Sequence, residues 1–259
     1  MRLITVDQGP TGLAVNSTGS RVYVATLPSS TVSVIDTATE TVIRSPITFG
    51  ALPFGVAVTP DERRVYVGNS GSSTVSVIDT DVDAVIDSPI PVGLTPAGVA
   101  MDPAGSRVYV ANFRSNTVSV IDTASNEVVT TIPVGANPVG VAVHPDGSRV
   151  VVANSFPAPA GDSVSVIDTA IDRVVATVPV GVSPYTVAVD PGGSHVYVTN
   201  FDPDPLQGDY RISVIDAASN REVARVPVGA APIGLAVAPD GRHVYVANSA
   251  SSSVSVIDT

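Results

Sequence analysis

Two acidic runs and a scatter of aromatic and arginine side chains are the parts of this 259-residue sequence whose types and spacing could do chemistry. Asp79, Asp81, Asp83 and Asp87 form one run; Asp202, Asp204 and Asp209, with Gly208, form the other. Calcium takes six to eight oxygens, and carboxylates this close together could supply several. D-x-D-x-x-x-D alone is a weak signal, and the first run reads as a solvated turn; the spacing of the second does not match the EF-hand loop. No cofactor or metal is therefore predicted, with Ca²⁺ left open at these runs. His144, His195 and His243 lie far apart along the chain, without the convergent partners that a catalytic or metal-binding imidazole needs. No Ser stands beside a His in a G-x-S-x-G context. The absence of Cys excludes disulfides, thiolate metal sites and a Cys nucleophile. No catalytic residue is assigned.

The elements that must position these residues are strands. S-V-I-D occurs six times, ending at Asp36, Asp79, Asp122, Asp168, Asp216 and Asp258, with spacings of 43, 43, 46, 48 and 42 residues. A string close to R-V-Y-V-A-N precedes each copy, and P-x-G-V-A-V, or a close variant, opens each unit. Self-similarity at such a period marks a repeat architecture. Four short β-rich runs per unit, separated by turn signals such as His144-Pro-Asp-Gly, predict antiparallel sheets. The runs are apolar on both faces, so each sheet is expected to be sandwiched between neighbours, as in a propeller.

Counting Leu3-Ile4-Thr5-Val6 as a strand gives twenty-four, or six blades of four. The expected fold is an all-β, six-bladed β-propeller, closed by the N-terminal strand joining the last blade. Its blade units cover about 9–50, 51–93, 94–136, 137–181, 182–229 and 230–259 plus 1–8, within one domain spanning 1–259.

The R-V-Y-V-A-N and T-V-S-V-I-D-T strings resemble the YVTN-type propeller repeat of bacterial and archaeal proteins, which includes YncE-like and surface-layer-type propellers. The resemblance spans essentially the whole chain. It implies an interaction propeller, often periplasmic or secreted, more than a defined enzyme. Virginiamycin B lyase resembles the chain in architecture and uses His and Glu with Mg²⁺ at its channel mouth; no His here matches.

Composition narrows the partners. The net charge is −11, with thirteen Arg and no Lys, so nucleic acid is not expected. No apolar run is long enough to span a bilayer. MRLITVDQGP lacks a signal-peptide core, so the chain as written reads as cytoplasmic, unlike many of the proteins it resembles. A monomer is expected.

Propeller topology sorts the loops onto two rims. Blade-to-blade links and second-to-third-strand loops share an upper rim; the other turns share a lower one. The Asp of S-V-I-D is expected to accept N–H bonds in the next lower turn. All three His and all four Glu fall near that rim. The upper rim escapes the template. It carries all five Phe (Phe49, Phe54, Phe113, Phe156 and Phe201) and the two Tyr outside the repeat column, Tyr185 and Tyr210. Phe49 is read as structural because Val takes its place elsewhere.

Variable loops on a rigid scaffold carry recognition. The ligand-binding candidates are therefore Phe54, Phe113, Arg114, Phe156, Tyr185, Phe201, Asp202, Asp209, Tyr210 and Arg211, for a small molecule, peptide or protein held by the loops of repeats three to five. Loop self-packing accounts for Phe156 and Phe201 equally well. The alternative is a lyase or isomerase at the upper channel mouth, using Arg114, Tyr185, Asp202, Asp209, Tyr210 and Arg211.

Overall fold

The computed structural model describes residues 3–48, 50–155, 162–201, 208 and 210–259, with the main chain alone at 44–46 and 48. It is a six-bladed β-propeller of antiparallel blades, with no helix among the described residues. By internal contacts the chain falls into two compact units, Met1–Thr131 and Ile132–Thr259, each described by itself.

In the first unit, β1 (Pro10–Val15), β2 (Arg21–Thr26), β3 (Thr31–Asp36) and β4 (Thr41–Thr48) pair in sequence order. So do β5 (Pro53–Val58), β6 (Arg64–Asn69), β7 (Thr74–Asp79) and β8 (Ala84–Pro91), and β9 (Pro96–Met101), β10 (Arg107–Asn112), β11 (Thr117–Asp122) and β12 (Glu127–Pro133), whose last residues cross into the second unit. The second unit holds β13 (Pro138–Val143), β14 (Arg149–Asn154), β15 (Ser163–Asp168) and β16 (Arg173–Pro179), then β17 (Pro184–Val189), β18 (His195–Asn200), β19 (Arg211–Asp216) and β20 (Arg221–Pro227). Its last sheet contains β21 (Pro232–Val237), β22 (His243–Asn248) and β23 (Ser253–Asp258).

The strands follow from side-chain shape. Val and Ile are stiff at χ1 and fill a pleated surface well. In β6, β10, β14 and β18 every residue after the first is buried, because both faces of these strands meet apolar neighbours. The outer strands β12 and β16 instead alternate between half-buried and exposed positions along most of their length, as expected when one face is wet. The core lies between successive sheets. Val56, Val65, Val67 and Ile78 of the second blade pack with Tyr23, Ala25, Val32 and Val34 of the first, and Val187, Val196, Val198 and Ile215 of the fifth with Val151, Val164 and Val166 of the fourth.

The glycine of P-x-G brings inner strands together. A Cβ on Gly55 would lie 2.2 Å from the Ala97 carbonyl oxygen and 2.7 Å from the Val99 nitrogen. In the second unit, a Cβ on Gly140 would lie 2.5 Å from the Tyr185 carbonyl oxygen. Only a residue without Cβ permits this approach.

The N-terminal strand is a correction to the sequence reading. Leu3–Val6 form no strand, Leu3 is exposed, and the sixth blade is a three-stranded sheet. Residues just beyond Leu3–Val6 are committed to the first blade. Thr31 Oγ1 donates to Asp7 Oδ2 at 2.8 Å, the Leu27 N–H donates to the Gly9 carbonyl at 2.9 Å, and Gly9, at φ 68°, turns the chain straight into β1. No helix among the described residues is long and apolar enough to cross a membrane.

Candidate functional site

Hydrogen bonds confirm the two rims blade by blade. At one end, second-to-third-strand loops donate to the link that enters the same blade, as in Phe113 N–H to Thr95 O (3.0 Å) and Phe201 N–H to Ser183 O (2.9 Å). At the other, third-to-fourth turns donate to first-to-second turns, as in Thr80 N–H to Arg63 O (3.1 Å) and Ala217 N–H to Ser194 O (2.9 Å).

The S-V-I-D aspartates cap their own lower turns, as their repetition suggested. Asp36 Oδ1 accepts from the Thr39 N–H (2.7 Å) and hydroxyl (2.8 Å), and Asp122 Oδ1 from the N–H groups of Ser125 (2.8 Å) and Ala124 (3.1 Å). These bonds favour the charged form and hold both carboxyls below the usual range. The arginine that opens the second strand fastens the next blade: Arg21 Nη1 donates to Thr80 O at 2.9 Å and Arg64 Nη1 to Thr123 O at 2.7 Å.

Three of the four aspartates in the acidic run of the second blade make such contacts. Asp79 caps the Asp81 N–H at 2.9 Å, Asp83 lies 3.5 Å from Arg21 Nη1, and Asp87 accepts from Asn126 Nδ2 at 3.2 Å. Among the described residues no group of three or more His, Cys, Asp or Glu could hold a metal ion. Asp202, Asp204 and Asp209 lie outside the described residues.

His144 is more engaged than its sequence context implied. Its Nδ1 lies 2.6 Å from Asp146 Oδ1, and its Nε2 lies 2.8 Å from the Gly193 carbonyl oxygen of the fifth blade. The ring fits there because Gly193 has no Cβ, which would meet it at 2.4 Å. Asp146 is pulled down to about 2, first by the Ser148 hydroxyl and N–H and then by His144. A groove of about 290 Å³ opens beside this pair, lined also by Arg149, Ser194 and Asp216.

Glu62 forms the corresponding clasp between the first two blades. It stands at φ 63°, where the other turns between first and second strands use glycine, as at Gly105 (φ 74°) and Gly147 (φ 75°). Its carboxylate accepts from the Ser17 hydroxyl, the Thr18 N–H (2.6 Å) and Asn16 Nδ2 (2.8 Å). The Ser17 bond above all holds its pKa below the usual 4.5. A depressed carboxyl stabilises the fold above its unfolded pKa and loses that contribution as pH falls. The melting-temperature gap between wild type and Glu62→Gln is therefore expected to be widest near neutrality and to close below about pH 4.5. A gap unchanged across a pH series of thermal melts would disprove the clasp.

The upper-rim candidates divide between the two units. In the first, Phe54 is half-buried in β5, Phe113 is half-buried after β10, and Arg114 is exposed. The Arg114 N–H donates to Leu94 O at 3.1 Å, as the Gly71 N–H does to Ala51 O in the blade before. The main chain there is therefore standard, and the guanidinium is an addition to it.

In the second unit the fifth blade brings two candidates into contact. Tyr185 and Phe201 are half-buried, with ring centroids 6.4 Å apart and planes tilted by 50°, within the usual range for aromatic pairs. Burial raises the Tyr185 phenol above its ordinary pKa. Tyr210 is half-buried, its carbonyl accepting from the Val228 N–H at 2.9 Å, and Arg211 begins β19 with an exposed side chain. Phe49, Phe156, Asp202 and Asp209 lie outside the described residues.

Sequence reasoning passed over one recurring group. The Asn that ends the second strand is fully or almost fully buried at Asn69, Asn112, Asn154, Asn200 and Asn248. Its Nδ2 holds two partners on the third strand, such as Thr117 Oγ1 (3.1 Å) and Ser119 Oγ (2.9 Å) for Asn112. The signal was its place as the last letter of R-V-Y-V-A-N.

No family model and no curated protein matches the chain. Among solved structures it is similar to Kuenenia stuttgartiensis hydrazine synthase, at 27% identity and a TM-score of 0.90, covering 100% of this chain and 79% of that one. It is also similar to a chain of the mitotic checkpoint complex, at 16% identity and a TM-score of 0.83, covering 95% of this chain and 73% of that one. The second likeness is one of fold alone.

Proposed function

We propose that the chain is a YVTN-type binding propeller that recognises a peptide or protein segment with its upper-rim loops, those of the fifth repeat foremost. The observation that carries this reading is the Tyr185–Phe201 pair. The repeat places Thr11, Ala97, Val139 and Ile233 at the Tyr185 position, with Phe54 in the second copy, and Leu27, Ser70, Ser155 and Ser249 at that of Phe201, with Phe113 in the third; the fifth copy alone has a ring at both. Two half-buried rings are a low-entropy anchor for an apolar side chain. Tyr210, at the end of the loop that Phe201 opens, and Arg211, at the start of β19, would supply polar recognition. In the first unit Phe113 and Arg114 repeat the combination of one ring and one guanidinium.

Peptides selected from a random library on the wild-type protein are expected to bind a Tyr185→Ala, Phe201→Ala double variant at least tenfold more weakly, since each lost aromatic anchor removes about 1–2 kcal/mol or more. Circular dichroism would verify that the variant stays folded. Equal binding by the folded variant, or no enriched peptide at all, would sink the proposal.

A further inference from the structure

We infer that the lower-rim groove between the second and third blades is a binding site for a small oxyanion, the carboxylate or phosphate group of a low-molecular-weight ligand. The groove has a volume of about 270 Å³, and Asp61, Arg63, Arg64, Gly105 and Thr123 stand on its wall. The inference is separate from the upper-rim reading and does not depend on it.

Three observations carry it. The first is a departure from the template. The residue before the second strand is Ser20, Ser106, Ser148 and Ser194 in four blades. Ser106 and Ser194 spend their hydroxyls on the turn's own aspartate, at 2.7 Å to Asp102 and 2.6 Å to Asp190. The second blade has Arg63 there, giving the one Arg-Arg dipeptide in a chain of net charge −11. Its side chain is exposed, and its guanidinium forms no hydrogen bond or ion pair with another described residue.

The second is geometry. Arg64 is fixed by its bond to Thr123 O at 2.7 Å, so one guanidinium on the groove wall is already oriented while its neighbour can swing onto a ligand. A planar guanidinium grips two oxygens of a carboxylate or phosphate at once. Asp61 is the opposing charge. It is tied to its own turn by the Arg63 N–H at 3.1 Å, and two cations outweigh it.

The third is a comparison inside the molecule. The corresponding groove between the fourth and fifth blades is lined by Asp146, Asp216, Ser148 and Arg149. Ser148 stands there in place of Arg63, and carboxylates outnumber the one guanidinium. The same fold element therefore has opposite polarity at two places: Arg63 accounts for half of the difference, and the other half is that no counterpart of Asp216 lines the groove between the second and third blades.

The test uses thermal melts and titration calorimetry with inorganic phosphate and with succinate, each against sodium chloride at matched ionic strength, since salt screens the net charge of any acidic protein. Phosphate, succinate or both are expected to raise the melting temperature beyond chloride and to bind saturably. Arg63→Ser, which restores the template residue, is expected to weaken that binding at least tenfold while leaving the melt in chloride unchanged. Arg242→Ser is the control: it removes an exposed Arg from the same repeat position of the sixth blade, with the same change in net charge, and is expected to bind as wild type does. Stabilisation by both anions equal to that by chloride, binding that survives Arg63→Ser, or an equal loss with Arg242→Ser would each overturn the assignment.

Discussion

Gly55→Ala is expected to destabilise the protein by about 3 kcal/mol or more, lowering the melting temperature of a chain of this size by roughly 10 °C. The new methyl group would lie 2.2 Å from the Ala97 carbonyl oxygen and 2.7 Å from the Val99 nitrogen. Both are main-chain atoms of the adjacent inner strand, so no rotamer change relieves the overlap. The blades must separate, and with them the apolar layer in which Tyr66, Val75 and Val77 face Val108, Val110 and Ile121. Gly140→Ala is expected to do the same in the second unit, against the Tyr185 carbonyl. Gly192→Ala supplies the comparison: the nearest atom to its new methyl is 4.0 Å away. That change is expected to be neutral or slightly stabilising, because alanine narrows the unfolded ensemble. A Gly55→Ala protein that melts with Gly192→Ala would show that the inner strands do not meet as described.

This glycine also shows where the sequence was readable. P-x-G recurs, so a special backbone need was visible at each copy, but the identity of the opposing atom depends on a residue some forty positions away. Local features came through for the same reason. Val-Ser-Val-Ile packs on both faces, Pro-Asp-Gly turns the chain, and the S-V-I-D aspartate bonds N–H groups two and three residues on; each is settled within a few residues. Contacts between blades did not come through. The reach of Arg21 and Arg64 to the next blade, the Glu62 clasp and the His144 bond to Gly193 are set by how sheets stack, which no short string encodes. Leu3–Val6 failed in the opposite way. Leu3-Ile4-Thr5-Val6 has the composition of a strand, but a strand also needs a partner edge, and Asp7 and Gly9 bind the following residues to the first blade. At the upper rim, composition alone exposed the odd residues, and only coordinates could show that Tyr185 meets Phe201.

Asn112→Asp is expected to be nearly as damaging as the glycine change, although it alters the side chain by a single group. Asn112 is fully buried. Its two amide hydrogens serve Thr117 Oγ1 and Ser119 Oγ, while its Oδ1 finds no donor among the described residues. A Cβ on Gly93 would fall 2.6 Å from Asn112 Cγ, so the amide is clamped and cannot turn towards water. Replacing the NH₂ group by oxygen removes both donors to the Thr117 and Ser119 hydroxyls, which must turn if they are to pair with the new oxygen, and it places a charge in a fully buried position. Losing the bonds and burying the charge together cost about 3 kcal/mol or more. The pH dependence identifies the cause. Burial raises the folded-state pKa of the introduced carboxyl above its unfolded value of about 3.9. The charge penalty is therefore absent below that value and grows as pH rises through and beyond it. Urea unfolding of the variant is expected to approach wild type near pH 4 and to fall furthest behind at pH 7. A deficit that stays constant over this range would mean that shape alone, not charge, is what this position of the repeat selects.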